Sequence, residues 1–206
     1  MVLGPKQLLA LVKKIKLVEN LSERELTNPE GAGFDLRLGE VYKIKGKAFL
    51  GEVERHTAEV ELVAKYVEPR HSGKPKAHPE SDSGPIKISE DFQGKQARMT
   101  VTIKPGDFFL VKTIENVNMP QDLTASITPR STTYRSGLFI RTGNVPPGYC
   151  GELTFGLSNE GPATVEIEMG ARFVHIQFSE VSGGGNMYRG QWQGGRVTTT
   201  KKEKQV

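Results

Sequence analysis

Hydrophobic and polar positions alternate in short runs along most of the chain. Phe34-Asp-Leu-Arg-Leu alternates and meets Gly39, which predicts a half-buried strand that ends there. Met99-Thr-Val-Thr-Ile-Lys alternates again and runs into a Pro105-Gly-Asp turn. Phe108-Phe-Leu-Val-Lys-Thr-Ile is more apolar and predicts a strand buried on both faces. Residues 123–128, 138–141, 152–157, 164–168 and 172–178 continue the series. Turn signals recur about every ten residues, so the pattern predicts an all-β sandwich or jelly roll. The exception is residues 5–16. There Leu8, Leu9, Leu11, Val12 and Ile15 share a broad apolar face while Lys13, Lys14 and Lys16 stay wet. That spacing predicts a short N-terminal helix, with Pro5 at its first position.

Two stretches break the pattern. Residues 68–91 are rich in Pro, Gly, Ser and charge, and read as a loop or insertion between strands. The chain therefore reads as one domain over 1–200, with a polar insertion at about 50–95 and a basic, disordered tail at 201–206. His71 and His78 fall in the insertion without nearby cysteines and read as solvated loop histidines.

Composition narrows the function. The 23 glycines and 12 prolines favour a turn-rich β protein over a helical bundle. Net charge is only +4, and Lys201, Lys202 and Lys204 supply part of it. No basic stripe is interleaved with aromatics, which argues against a nucleic-acid partner. Cys150 is the single cysteine, so no intrachain disulfide is possible. No run approaches the ~18 apolar residues of a membrane helix, and no signal-peptide pattern opens the chain. The expectation is a cytoplasmic protein without a membrane partner.

The most chemically telling stretch is Thr128-Pro-Arg-Ser-Thr-Thr-Tyr-Arg-Ser-Gly-Leu138. Arg130 and Arg135 flank hydroxyl side chains that include Ser131 and Thr132. Each guanidinium offers a planar fork of donors that fits phosphate oxygens, and each hydroxyl adds a donor. A turn carrying that set suits a polyphosphate. Exposed turns also carry Arg and Ser without any ligand.

This window stands in order with four others: Gly33-Phe-Asp-Leu-Arg-Leu-Gly39, Thr142-Gly-Asn-Val-Pro-Pro-Gly-Tyr-Cys-Gly-Glu-Leu153, Gly170-Ala-Arg-Phe-Val-His-Ile-Gln-Phe178 and Tyr188-Arg-Gly-Gln-Trp-Gln-Gly194. Together they resemble the dCTP deaminase and trimeric dUTPase superfamily, in its deaminase-like branch that includes archaeal dUTPases. The resemblance implies a distorted jelly roll of the dUTPase-like β-clip type. It implies a homotrimer with active sites at subunit interfaces. It implies a deoxyribonucleoside triphosphate substrate, dUTP or dCTP, with Mg²⁺ bound through the phosphates. Carried over, Arg130, Ser131, Thr132 and Arg135 hold phosphates, and Tyr188, Gln191 and Gln193 belong to a C-terminal segment that closes over them. Gly143, Asn144, Val145, Phe155 and Gly156 lie along base and sugar. No residue is assigned to a metal directly. Phe173, Ile176 and Phe178 read as core, Arg172 and Gln177 as outward-facing strand positions without a ligand, and His175 as a satisfied strand histidine. Trp192, in its glycine-rich setting, reads as an aromatic that packs on a partner subunit or a ligand.

Two positions depart from the resemblance. The deaminases carry a Glu where this chain has Gly156, and glycine cannot do acid–base work. Both branches carry an Asp before the Pro-Gly turn where this chain has Pro146. Glu152 is the substitute base expected here, since alternation puts it on one face with Thr154 and Gly156. Asp35 and Asp107 are the other candidates. Gly156 in place of Glu predicts spare room in the pocket. The leading expectation is a hydrolase that converts dUTP to dUMP and pyrophosphate. The alternatives are dCTP deamination and a catalytically silent dNTP-binding homologue.

Overall fold

The computed structural model describes residues 1–68, 86–89 and 98–204. In chain order the elements are α1 (Pro5–Ile15), β1 (Val18–Glu19), α2 (Glu23–Thr27), β2 (Gly33–Lys45), β3 (Phe49–Leu50), β4 (Glu54–His56), β5 (Glu59–Lys65), β6 (Ile86–Ser89), β7 (Arg98–Ile103), β8 (Phe108–Asn118), β9 (Leu123–Pro129), α3 (Ser131–Arg135), β10 (Leu138–Arg141), β11 (Cys150–Asn159), β12 (Val165–Glu168), β13 (Arg172–Glu180) and β14 (Glu203–Lys204).

The main sheet runs β10-β11-β8-β2-β13-β9, with β1 paired to β8 and β5 paired to β2. The stretch after β10 then turns back along the open edge of β9. Val145 and Ala125 exchange backbone hydrogen bonds of 2.8 and 3.0 Å, and Thr142 Oγ1 donates to the Ile127 carbonyl at 2.9 Å. These bonds nearly close the sheet on itself, as a jelly-roll-like barrel. The all-β expectation holds, with short helices at the periphery.

β2 is the spine. Its first half pairs with β13 and its second half with β8 and β5. Gly39 does not end the strand, contrary to the sequence expectation. It lies in the middle, where the register shifts between Leu38 and Glu40. A Cβ there would sit 2.7 Å from the Thr113 carbonyl oxygen, so glycine permits the close approach of β2 and β8 at a bulge.

β8 differs from expectation as well. Its burial alternates: Phe109, Val111, Thr113, Glu115 and Val117 are buried, while Leu110, Lys112 and Asn116 are only half-buried. The apolar start at Phe108 hid a strand with one core face, because Phe108 itself is exposed. The core collects Phe34, Leu36, Phe109, Leu157, Phe173, Ile176 and Phe178. Phe34 meets Phe178 edge-on at 6.4 Å, and Phe155 meets Phe173 at 6.0 Å. Each such side chain contributes about 1.5–3 kcal/mol when fully buried. α1 adds Leu8, which is completely buried, whereas Ile15 at its end is exposed.

Part of the expected insertion belongs to the fold. β5 is a strand of the main sheet, paired with β2 from Glu40–Lys65 to Lys45–Glu59. His71 and His78 lie outside the described residues. The tail expected to be disordered places Glu203 and Lys204 opposite Arg55 and Glu54 as β14. Lysine-rich composition did not reveal that pairing, because it is anchored by Arg196, whose Nη2 lies 2.5 Å from Glu203 Oε1.

Candidate functional site

A cavity of about 510 Å³ opens beside the stretch that closes the sheet. Gly143, Asn144, Val145 and Pro146 line it, together with Leu153, Thr154 and Phe155 of β11. Tyr188, Trp192, Arg196 and Val197 of the C-terminal segment also line it, as do Thr57 and Tyr149. The walls are mostly apolar and aromatic, with a few polar groups, the usual character of a small-molecule site.

Among the described residues, no carboxylate lines the cavity, and the one charged side chain in its lining is Arg196, which is already engaged. Its Nε donates to the Thr198 carbonyl at 2.9 Å, and both terminal nitrogens bond the Glu203 carboxylate. Thr154 Oγ1 is buried and has no hydrogen-bond partner in the protein. Tyr149 is a neutral phenol: burial pushes its pKa up to about 12, and its hydroxyl donates to the Glu152 carbonyl at 2.6 Å. Thr154 and Asn144 therefore offer hydrogen-bonding capacity to a bound molecule, as do the Trp192 indole N–H and the Tyr188 hydroxyl, which accepts from the Trp192 backbone N–H at 3.3 Å.

The C-terminal segment is stapled over this cavity by the β4 region. Arg55 Nε donates to Gln191 Oε1 at 2.6 Å. The Thr57 backbone N–H donates to Thr199 Oγ1 at 2.9 Å, and the Thr199 N–H donates to Thr57 Oγ1 at 2.9 Å. Gln193 bridges the Pro-Gly turn, donating to the Gly148 carbonyl at 3.0 Å and accepting from the Cys150 N–H at 3.2 Å. Tyr188 stacks edge-on against Tyr149 at 5.5 Å.

Of the expected base and sugar residues, Gly143, Asn144, Val145 and Phe155 line the cavity, and Gly156 does not. Glu152, Thr154 and Gly156 do share the half-buried face of β11. However, a Cβ on Gly156 would lie 2.9 Å from the Phe108 ring, so Phe108 occupies the space that the Gly-for-Glu exchange was expected to leave open. Glu152 lies outside the cavity lining, and its carboxylate is 3.5 Å from Lys112 Nζ. Lys112 in turn reaches Glu40, which also pairs with Lys65 and accepts from Tyr42. Burial alone would raise the Glu40 pKa, but the Lys65 and Tyr42 hydrogen bonds and the Lys112 charge hold it below the ordinary value. Asp107 accepts from the Lys104 N–H at 2.7 Å in its turn, away from the cavity.

The expected phosphate turn lies elsewhere. Ser131, Thr132 and Arg135 are exposed on α3 and absent from the cavity lining. The turn is fixed from beneath by Thr133, a buried residue whose hydroxyl donates to the Phe173 carbonyl at 2.9 Å. The Arg130 N–H donates to the same carbonyl at 3.0 Å. The Arg130 side chain meets Asp35 of β2, with Nε 3.0 Å from Oδ2. Arg172, expected to be an outward-facing strand position, and His175, expected to be a satisfied strand histidine, converge on that same carboxylate at 3.0 Å each. Burial would raise the Asp35 pKa. The His175 hydrogen bond and the Arg130 and Arg172 charges outweigh burial and lower it. Among the described residues no group of three or more His, Cys, Asp or Glu side chains is arranged to hold a metal ion.

Sequence reasoning missed this ion cluster and the Arg55–Gln191 staple. Each joins residues from distant parts of the chain, and only the β2–β13 register brings Asp35 opposite His175.

The nearly closed antiparallel sheet, with the cavity beside the Pro-Gly turn and the basic turn on α3, defines an all-β, jelly-roll-like protein. The chain belongs to the dCTP deaminase-like family, whose family model matches residues 2–181. It is 30% identical over 195 residues to a dCTP deaminase of Pyrococcus furiosus, covering 94% of this chain and 95% of that one. It is 27% identical over 187 residues to a dUMP-forming dCTP deaminase of Dictyoglomus thermophilum, covering 88% and 81%. The crystal structure of the 2′-deoxycytidine 5′-triphosphate deaminase of Agrobacterium tumefaciens superposes with a TM-score of 0.57 at 18% identity. That match covers 86% of this chain and 46% of the other, so this chain spans about half of that length, and the likeness is one of fold.

Proposed function

We propose that this protein binds a pyrimidine deoxyribonucleoside triphosphate, with base and sugar in the cavity and phosphates on the Arg130–Arg135 turn of a neighbouring copy. The observation that carries this reading is the separation of the two parts within one chain. The cavity is mostly apolar, the one cation among its described lining residues, Arg196, is neutralised by Glu203, and Ser131, Thr132 and Arg135 lie outside the lining. A triphosphate needs cations, so a site completed by a second subunit fits both halves. The family resemblance supports the same arrangement, a homotrimer with sites between chains. Mg²⁺ enters with the triphosphate as its counter-ion and needs no carboxylate from the protein.

For turnover, the hydrolysis of dUTP to dUMP and pyrophosphate is favoured over deamination of dCTP. Ring deamination needs a proton-shuttling group beside the base, and among the described residues no carboxylate lines the cavity. Phosphoryl chemistry depends mainly on positioning and charge, which arginines supply. The names of the relatives speak for deamination, so both products are measured. Calorimetric titration with dUTP and dCTP in Mg²⁺ is paired with assays for pyrophosphate and ammonia. Binding of both nucleotides with pyrophosphate release and background ammonia is expected. Absence of dNTP binding overturns the reading; binding without either product makes the protein a silent homologue; ammonia release returns it to the deaminases.

A further inference from the structure

Asp35 is 4% exposed and carries more partners than a structural carboxylate on a strand requires. Oδ2 receives Arg130 Nε and Arg172 Nη1, each at 3.0 Å, and Oδ1 receives His175 Nδ1 at 3.0 Å. Arg24 Nη1 stands 3.9 Å away. The backbone of Asp35 is held too: its N–H donates to Glu25 Oε2 at 3.0 Å, and Glu25 is fully buried and paired with Arg24. His175 is packed in turn against Gly33, where a Cβ would collide with the His175 ring and the Ile176 carbonyl. The carboxylate is thus a fixed point.

Of the groups that meet this carboxylate, Arg130 belongs to the α3 turn. It is 27% exposed, its backbone N–H is bound to Phe173, and its side chain is bound to Asp35 through Nε. An arginine has five N–H donors, so binding through Nε leaves the terminal nitrogens for another acceptor. Fixing Nε also sets the plane of the guanidinium, which decides whether it meets a phosphate with two parallel bonds or one.

We propose that Asp35 is a positioning residue, which holds the Arg130 guanidinium in the orientation that receives a nucleotide polyphosphate, with Arg172 and His175 holding Asp35. This rests on the reading that the Arg130–Arg135 turn meets phosphates. A purely structural salt bridge would support the fold equally for every ligand. A positioning residue acts through Arg130 and is felt in proportion to the phosphates bound.

The test titrates the full chain with dUTP and with dUMP. Asp35→Asn keeps the shape and removes the charge. It is expected to weaken dUTP by at least about tenfold, the scale of one misplaced hydrogen bond to a charged group, and dUMP by less than about twofold. In an Arg130→Ala background the same change is expected to add nothing for dUTP. His175→Gln retains an N–H donor for Asp35 and is expected to keep dUTP affinity within about twofold. Arg130→Lys gives a second reading that does not disturb the buried carboxylate. It keeps the charge but has no Nε to meet Asp35, so it is expected to lose most of what Arg130→Ala loses. Unchanged dUTP binding by Asp35→Asn, equal losses for dUTP and dUMP, a full loss persisting beside Arg130→Ala, or wild-type binding by Arg130→Lys would each overturn the proposal. A wild-type chain that binds no dUTP removes the nucleotide reading as well, whereas normal wild-type binding with any of those outcomes removes only the role of Asp35.

Discussion

The Phe108 ring sits where a side chain at position 156 would begin, 2.9 Å from the Cβ that Gly156 lacks. The contact joins β8 to β11 on the face that also carries Thr154 and Glu152. Gly156→Glu is therefore expected to destabilise the fold only modestly, by about 0.5–1 kcal/mol, because the ring tip it meets belongs to an exposed side chain that can give way. Phe108→Ala in the same chain is expected to recover most of that loss, since the ring is the obstacle. Denaturant melts of both single variants and the double variant check the coupling; additive losses would show that the two residues do not compete for space.

Trp192 is the only tryptophan in the chain and lines the cavity. Its fluorescence is expected to change on titration with dUTP and to saturate with the calorimetric affinity. Trp192→Ala is expected to weaken dUTP and dUMP alike, by about tenfold, as loss of a base-stacking aromatic does. Selective loss of the triphosphate alone would place Trp192 beside phosphates instead.

Acid should loosen the fold through two carboxylates. Asp35 and Glu40 have pKa values held below their ordinary 3.8 and 4.5, despite burial that raises them, by the cations around them. A depressed folded pKa contributes stability that is complete above the unfolded value and lost as pH falls through the folded one. Stability from these groups is thus constant near neutrality and declines below their ordinary values. Asp35→Asn and Glu40→Gln are each expected to be less stable at neutral pH and to show a shallower acid decline in denaturant midpoint.

Glu115 behaves in the opposite sense. It is fully buried, and burial raises its pKa even though Arg37 Nε lies 2.7 Å away and the Arg37 N–H donates at 2.8 Å. Its protonation favours the fold as pH falls through the raised value. Arg37→Met strips away the side-chain partner and leaves a buried acid, which is expected to lower stability by about 3–5 kcal/mol at neutral pH. Glu115→Gln in that background should return part of the loss, measured by thermal or denaturant unfolding.

Much of this was legible in the chain itself. Alternation located the strands from Met99 to Phe178, because one face of each packs on the core and two-residue periodicity reports that directly. The resemblance grouped Gly143, Asn144, Val145, Phe155 and Gly156, and all but Gly156 line the cavity. What alternation could not show was contact between distant residues. Gly39 looked like a strand end because its purpose, the approach to Thr113, lies in another strand. β5 was hidden in a polar stretch, since Glu59, Glu61 and Lys65 face outwards. Asp35 looked like a polar strand position and a candidate base until β13 brought Arg172 and His175 to it.

Gly194 and Gly195 take φ values of +78° and +71°, and a Cβ on Gly195 would land on the Glu152 carboxylate. The bend between Trp192 and Arg196, which both line the cavity, is thus threaded between a conformational requirement and a charge. Lys112 holds that charge from the other side, 3.5 Å away. The outline of the cavity is consequently answerable to residues that never touch its contents: a change at Lys112 or Glu40 would shift the seat of Glu152, and through Gly195 the distance between the indole and the guanidinium.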